Sequence, residues 1–428
     1  MATILAANTG NWSAGGTWTG GVVPGVNDVA VANGKTVTID TLNVTVIEVR
    51  NDTTGGATAG GTFNMSNGGS LTANVYAGSS ATSCVTWAGT AGQTATITGS
   101  FFGGTGTGSA INCTGGNLTI GGGSNSTGGT GTSSSSGIAF PSTGTLTFAT
   151  AGNPGNLTGG TSTTAGAHAI SATGSGSTVT AYASTISTGA SGIGTGVSLT
   201  ASSQTVAITA TTIQAASVTS SAYGISLAGA SANGTITVSG NILGGPGTSG
   251  HALSFSNSGT YSITVGGSIS NGSGSSSNGV NLSGTATLNV TGNCLPLNAV
   301  NGSNQAIFNG GTGVINVTGS ATGGATVPAI INNSTGTVRV TRAVGNGFGL
   351  GSAGLTANVG VQSNLSGSLT YVEQLQFGSL GQSPVSGPIR LTDNTGNVCQ
   401  MVTTTGSIKT LVDTAATSGV LPAIGDVR

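Results

Sequence analysis

Residues 253–270 read LSFSNSGTYSITVGGSIS, and this stretch contains three short runs in which apolar and polar residues alternate. The runs are Leu253–Phe255, Ile263–Val265 and a shorter one around Ile269. Alternation with a period of two is typical of β-strands that bury one face. Glycine, serine and asparagine separate the runs, as expected where a chain turns tightly. The stretch therefore predicts three strands joined by tight bends.

The same pattern recurs along most of the chain, at intervals of 26 to 28 residues with single intervals of 32 and 23. The first runs begin at Val85, Ile111, Ile138, Ile170, Val197, Ile225, Leu253, Val280, Ile307 and Ile330. The second runs begin at Leu118, Leu146, Val206, Ile236, Ile263, Leu288, Ile315 and Val338. The third runs are marked by Ile186, Ile213, Ile242, Ile269 and Leu295. A fixed period of this length indicates a repeat protein whose units stack on one another.

Three short strands in each unit of about 27 residues predict an all-β fold, a right-handed parallel β-helix. Each strand would pair with its equivalents one coil above and below, about 4.8 Å away, with apolar residues inside. About ten coils between residues 83 and 345 would form a rod roughly 50 Å long. The spacing does not give the hand of the coil; we expect a right-handed coil because parallel crossovers overwhelmingly take that hand.

The two ends of the chain depart from the repeat. Residues 1–52 contain four of the eight acidic residues, and residues 346–428 contain the other four. Open ends of a solenoid must be covered or they polymerise. We therefore predict an N-terminal cap or attachment segment at 1–52, a solenoid at 53–345, and a small β-rich capping or oligomerisation domain at 346–428. Within the last segment, Asp393–Asn397 lies between two apolar runs and predicts a hairpin turn.

Charged residues are absent from the centre of the chain: no Asp, Glu, Lys or Arg lies between Asp52 and Arg339. Glycoside hydrolysis ordinarily needs two carboxylates, and lyases of β-helical fold need an acidic Ca²⁺ site with a basic residue. We therefore expect a protein that is not an enzyme, with no catalytic, cofactor-binding or metal-binding residues and no cofactor. A net charge of −1 gives no reason to expect nucleic acid as a partner.

A few single residues could carry chemistry. His168 and His251 each precede a first run by two residues, three coils apart, and we expect them to bond to the backbone at corners rather than form a catalytic or metal-binding pair. Trp87 and Phe140 are expected in the core, with carbohydrate stacking as the alternative. We expect buried free thiols rather than disulfides or a zinc site at Cys84, Cys113, Cys294 and Cys399.

Rows of threonine suggest a second alternative. Thr94–Thr98, Thr145–Thr147 and Thr235–Thr237 resemble the T-x-T rows of antifreeze solenoids, which bind ice. The other outward positions vary among several residue types, however, and the loops differ in length. An ordinary outer strand face, on which threonine packs well, is therefore the preferred interpretation.

Two terminal motifs carry a family resemblance. The segment with Asn11–Ser13, Thr17–Pro24 and Asp28–Val31 resembles an opening segment common to β-helical surface proteins of bacteria and phages. Leu421–Arg428 resembles a Pro-x-x-x-Asp-Val-Arg element found in phage virion proteins. Together with the solenoid, these motifs make the chain similar to phage fibre, tailspike and capsid-decoration proteins.

The resemblance implies a structural protein of the virion surface, used as a capsid decoration or as a head or tail fibre. Such proteins are commonly homotrimeric, assemble in the host cytoplasm and contact other capsid or tail proteins, and a host surface glycan is a further expected partner. No signal peptide and no membrane-spanning stretch is visible in the sequence, in keeping with this location. The alternatives are a bacterial cell-surface adhesin or extracellular filament subunit and, third, a glycan-degrading tailspike.

Overall fold

A computed structural model of the chain describes side chains in residues 1–52, 60–66, 68–130, 135–162, 166–190, 192–216, 222–229, 233–274, 276–295, 305–322 and 328–341, and backbone strands at intervals from there to residue 413. Helix within these residues is limited to two short 3-10 turns, Gly15–Thr17 and Thr19–Gly21. The remaining regular structure is β, in two long parallel sheets and one short antiparallel sheet.

The first runs form a 15-stranded sheet whose strands pair in parallel. Leu253, for example, pairs with Ile225 in one neighbouring coil and with Val280 in the other. The strands of this sheet are Gly10–Asn11, Thr36–Ile39, Thr62–Met65, Val85–Ala88, Ile111–Gly115, Ile138–Phe140, Ile170–Ala172, Val197–Leu199, Ile225–Leu227, Leu253–Phe255, Val280–Leu282, Ile307–Asn309, Ile330–Asn332, Gly349–Leu350 and Val361–Ser363. The parallel β-solenoid with coils of about 27 residues is therefore confirmed.

The second and third runs together form a 19-stranded sheet. Its strands are Thr3–Leu5, Val29–Val31, Asn43–Arg50, Ser70–Tyr76, Thr94–Thr98, Ser100–Phe102, Asn117–Ile120, Asn125–Thr127, Thr145–Phe148, Gly155–Thr158, Thr178–Ser187, Thr205–Gln214, Asn233–Val238, Ile242–Leu243, Thr260–Ser270, Thr287–Cys294, Val314–Thr322, Thr337–Val344 and Leu369–Gln376. In several coils the two runs join into one continuous strand, because bulges absorb the bend between them.

Two details of the predicted register change. Val206 pairs with Gly234 rather than Ile236, and Leu288 pairs with Tyr261 rather than Ile263. The second runs predicted at Ile236 and Ile263 therefore begin two residues further along their strands than those of the coils on either side. A shift of two residues keeps every side chain on its face. The interior position predicted for Leu295 is wrong: Ile269 pairs with Cys294 instead, and Leu295 is 45% exposed. The reason is the preceding bend, where Gly292 alone stands opposite residues 265–267.

The interior is one continuous column of buried apolar side chains running through the described coils. Trp87 and Phe140 are fully buried in it, so their predicted core position is confirmed. Cys84, Cys113 and Cys294 are free and buried, and burial raises the pKa of Cys113 and Cys294 to about 12. The side chain of Cys399 lies outside the described residues.

The N-terminal end of the column is closed by a pair of tryptophans. Trp12 and Trp18 are 3% and 2% exposed, and their rings meet edge to face with centroids 4.9 Å apart. Trp18 Nε1 donates a hydrogen bond of 2.8 Å to the carbonyl oxygen of Trp12. The chain between them folds back so that Trp18 forms an antiparallel bridge with Ala6. This arrangement buries two large rings within the first coil, and the cap predicted at residues 1–52 stays a prediction.

The parallel ladders extend from Thr3 to Gln376, which is beyond residues 53–345 in both directions. The division into three domains therefore stays a prediction. Near the C-terminus the strands Ile389–Thr392, Val398–Thr404 and Ser407–Asp413 pair in antiparallel order. The first two are the strands predicted to flank the hairpin turn, and the turn itself, Asp393–Asn397, lies outside the described residues.

Candidate functional site

A ladder of polar side chains lines the corner that precedes the first strands. At this position, two residues before a first strand, a side-chain acceptor in several coils takes the backbone N–H of the equivalent residue in the next coil. The pairs are Ser83 with Ser109 at 3.1 Å, His168 with Thr195 at 3.2 Å, His251 with Asn278 at 3.1 Å, and Asn278 with Gln305 at 2.9 Å. Serine, histidine and asparagine thus perform the same task, which is to satisfy a buried N–H where the strand ladder begins.

Both histidines are bound through Nδ1 as hydrogen-bond acceptors, so each is neutral with its proton on Nε2. Burial lowers the pKa of His168 and of His251 to about 4 because the charged ring would lose its hydration. The prediction of corner histidines bonded to the backbone is confirmed. The two histidines lie in different coils, and each caps a backbone N–H of the next coil.

Acidification should therefore destabilise the solenoid. The unfolded histidines take up protons near pH 6.5 and the folded ones only near pH 4, so the stabilisation is complete above pH 6.5 and is lost as pH falls toward 4. The loss should reach about 3 kcal/mol for His251, which is 7% exposed, and less for His168, whose partial exposure lets water hydrate the charged form. Denaturant unfolding between pH 7 and pH 4 measures it.

The control is the double variant His168→Asn, His251→Asn, because Asn278 already fills this position with an asparagine acceptor. Its unfolding free energy at pH 7 should stay close to that of the parent chain. Subtracting its pH profile from the parent profile removes the contribution of the carboxylates. Identical profiles for the two proteins would contradict the prediction.

The N-terminal carboxylates also serve the backbone. Asp28 accepts N–H bonds from Gly25 at 3.0 Å and Ala2 at 2.9 Å, and these bonds, that of Gly25 first, lower the pKa of Asp28. Asp40 accepts both the hydroxyl and the N–H of Ser13, and the hydroxyl bond is the main reason that the pKa of Asp40 is lowered. These acids stabilise turns between neighbouring coils.

A different arrangement surrounds Arg50, at the corner where the third strand ends. Arg50 forms an ion pair with Glu48, and its guanidinium carbon lies 5.5 Å from the ring centroid of Tyr76 in the next coil. Tyr76 stacks in turn on Phe102 of the following coil, with centroids 4.4 Å apart and planes 12° apart. One cation and two aromatic rings therefore form a short column along the outside of the rod.

Beside this column lies a cavity of about 510 Å³, which is within the usual size range of small-molecule sites. Arg50, Asp52 and Tyr76 line it with the hydroxyl-bearing residues Ser79 and Thr105. No local sequence motif predicts this site. The feature of the sequence that could have indicated it is the spacing of 26 residues from Arg50 to Tyr76 and from Tyr76 to Phe102. Each spacing equals one coil.

A second cavity, of about 310 Å³, occupies the same corner further along the rod. Gln214, Leu243 and Pro246 line it, and no charged residue does. This cavity therefore represents the same corner in a coil that lacks the Arg50 column and its charge.

The threonine rows can now be placed on the second strands. One column contains the successive pairs of Thr209, Thr237, Thr264, Thr291 and Thr318, all exposed. The adjacent column mixes residue types, namely Ala207, Thr235, Ser262, Asn289 and Asn316. An ordinary strand face that is rich in threonine can have one column of threonine beside a column of several residue types.

No group of three or more His, Cys, Asp or Glu side chains that could hold a metal ion occurs within the described part of the chain. Across the same residues, no helix has the length and apolar character needed to cross a membrane. No family model matches the chain, and comparison with curated proteins and with solved structures finds no match.

Proposed function

We propose that this chain is a structural protein of a bacteriophage virion surface, serving as a capsid decoration or as a head or tail fibre. The observation that carries the proposal is the pair of parallel ladders, one from Thr3 to Gln376 and the other from Gly10 to Ser363. Within the described side chains they enclose one apolar interior, from Ile4 to Val340. Each coil is tied to its neighbours by main-chain hydrogen bonds and buried side chains, which makes a stiff rod. A stiff rod with a cap at one end suits a mechanical role on a particle surface.

The proposed role needs no catalysis. The four N-terminal acids are engaged in backbone capping or, for Glu48, in an ion pair with Arg50. The next acid along the chain is Glu373. Paired carboxylates of the kind that hydrolyse glycosides would have to be assembled from these, so a binding role is better supported than a glycan-degrading one.

We further propose that the chain assembles as a homotrimer and contacts other capsid or tail proteins. Light scattering coupled to size-exclusion chromatography should give three times the chain mass of 40.4 kDa. A stable monomer at micromolar concentration would contradict the trimer and would leave the virion location to be tested separately.

The location is tested by labelling particles. Antibodies raised against the purified chain, coupled to gold, should mark the capsid or the tail of purified virions in electron micrographs. Antibodies preadsorbed with the purified chain are the control. Labelling of the bacterial envelope in cells that carry no phage would overturn the proposal in favour of a bacterial adhesin or extracellular filament subunit.

A further inference from the structure

We infer that the cavity beside Arg50 is a binding site for a neutral saccharide, held through vicinal hydroxyl groups. The inference deepens the proposed function and rests on it for the source of the saccharide, which is the host surface. The site itself depends only on the geometry of the cavity. Its lining combines a cation, a carboxylate, an aromatic ring and hydroxyl groups. This is a combination of hydrogen-bond donors and acceptors that a polyhydroxylated ring can satisfy on several sides at once.

The charge of the cavity favours a neutral ligand. Glu48 already compensates Arg50 through their ion pair, so the guanidinium adds hydrogen-bond donors without adding net positive charge. Asp52 then leaves the lining with a net negative charge, since Arg50 and Asp52 are the charged residues that line the cavity. An anion would be repelled by Asp52, and a single carboxylate is a poor set of ligands for a metal ion.

The binding groups are held in place by contacts on their other sides. Tyr76 is fixed between Arg50 and Phe102. Within the described chain, the hydrogen bonds of Asp52 all go to Oδ2, which accepts the N–H of Ser79 at 3.0 Å and its hydroxyl at 3.3 Å. These bonds fix the orientation of the whole carboxylate, and Oδ1 takes no part in them. Groups that are ordered before binding lose little entropy when the ligand arrives.

Glycines let the backbone of neighbouring coils lie close together beside Asp52. A Cβ at Gly78 would lie 2.0 Å from Asp52 Oδ2, and one at Gly104 would lie 1.9 Å from the carbonyl oxygen of Gly78. Neither position has room for a side chain. The backbone can therefore approach the carboxylate closely and form a floor beneath the polar groups.

The test uses the purified full-length chain and saturation-transfer NMR with glucose, galactose, mannose and N-acetylglucosamine as probes, followed by calorimetric titration. At least one of these sugars should bind, with a Kd of about 1 mM. Asp52→Asn keeps an acceptor for Ser79 and should weaken binding about tenfold, because a charge-assisted hydrogen bond is lost. Tyr76→Phe keeps the aromatic stack and should weaken binding less.

Gln214→Ala, at the same corner in the charge-free cavity, is the matched control and should bind like the parent chain. Circular dichroism checks that each variant retains its β structure. Absence of binding by all four sugars would overturn the inference, as would equal affinity of the parent chain and Asp52→Asn or preference for an anionic sugar such as glucuronate. These results are independent of gold labelling, so the site and the virion location fail or stand separately.

Discussion

Replacing Trp18 with alanine is expected to lower the free energy of unfolding of the N-terminal coils by about 3–5 kcal/mol. Trp18 is 2% exposed and loses its edge contact with Trp12 in the variant, together with its hydrogen bond to the Trp12 carbonyl. The carbonyl would be left without that partner at the end of the apolar column. Denaturant unfolding, followed by tryptophan fluorescence, measures the loss.

The effect should be local. A solenoid is approximately one-dimensional, so removal of a cap lowers the stability of the nearest coils first and leaves distant ones unchanged. Hydrogen exchange should therefore speed up in strands such as Thr3–Leu5 and Val29–Val31 and stay unchanged near Leu253–Phe255. Val22→Ala, at a 58% exposed position of the same segment, is the control and should change little. Uniformly faster exchange along the whole rod would contradict this account.

Replacing Phe255 with alanine should cost a similar 3–5 kcal/mol but in a different pattern. Phe255 is fully buried, pairs with Leu227 and Leu282 in the neighbouring coils, and packs against Tyr261 with centroids 4.9 Å apart. The cavity left by the ring would weaken the interfaces on both sides of one central coil. Denaturant unfolding should show the loss, and exchange should accelerate in both directions from this coil.

Two variants serve as controls for Phe255→Ala. Thr264→Ala changes an exposed position on a nearby strand and should be nearly neutral. Tyr261→Phe keeps the ring contact and removes only the hydroxyl bonded to Asn257, at a cost of about 1 kcal/mol. A loss for Phe255→Ala no larger than that of Thr264→Ala would show that the interior column does not hold the coils together.

The first strands could be predicted residue by residue. Their spacing stays close to one coil length and their apolar positions alternate strictly, so Leu253 and Val280 were placed opposite each other from the pattern alone. The corner histidines could also be predicted, because a residue two positions before a buried strand lies where the chain turns. At the third strands the pattern was ambiguous: adjacent Cys294 and Leu295 are both apolar, and a shorter bend decided which of them points inward.

The candidate saccharide site could not be predicted in the same way. Arg50, Asp52 and Tyr76 lie in two different coils and show no local motif. Only the parallel register brings Arg50 over Tyr76 and Tyr76 over Phe102. Gly78 and Gly104 also line the cavity, and the close contacts that they allow are visible only when neighbouring coils are packed together.

By itself, the sequence determined the β-solenoid, its coil length, its apolar interior and its uncharged centre, because each of these follows from a periodic pattern that every coil repeats. The tertiary structure alone decided the tryptophan cap, the inward choice of Cys294 and the cavity beside Arg50. Those features depend on contacts between residues in different coils and on bends whose lengths vary. The physical reason is that periodicity specifies what all coils share, whereas a cavity at a single corner depends on how one coil departs from the others.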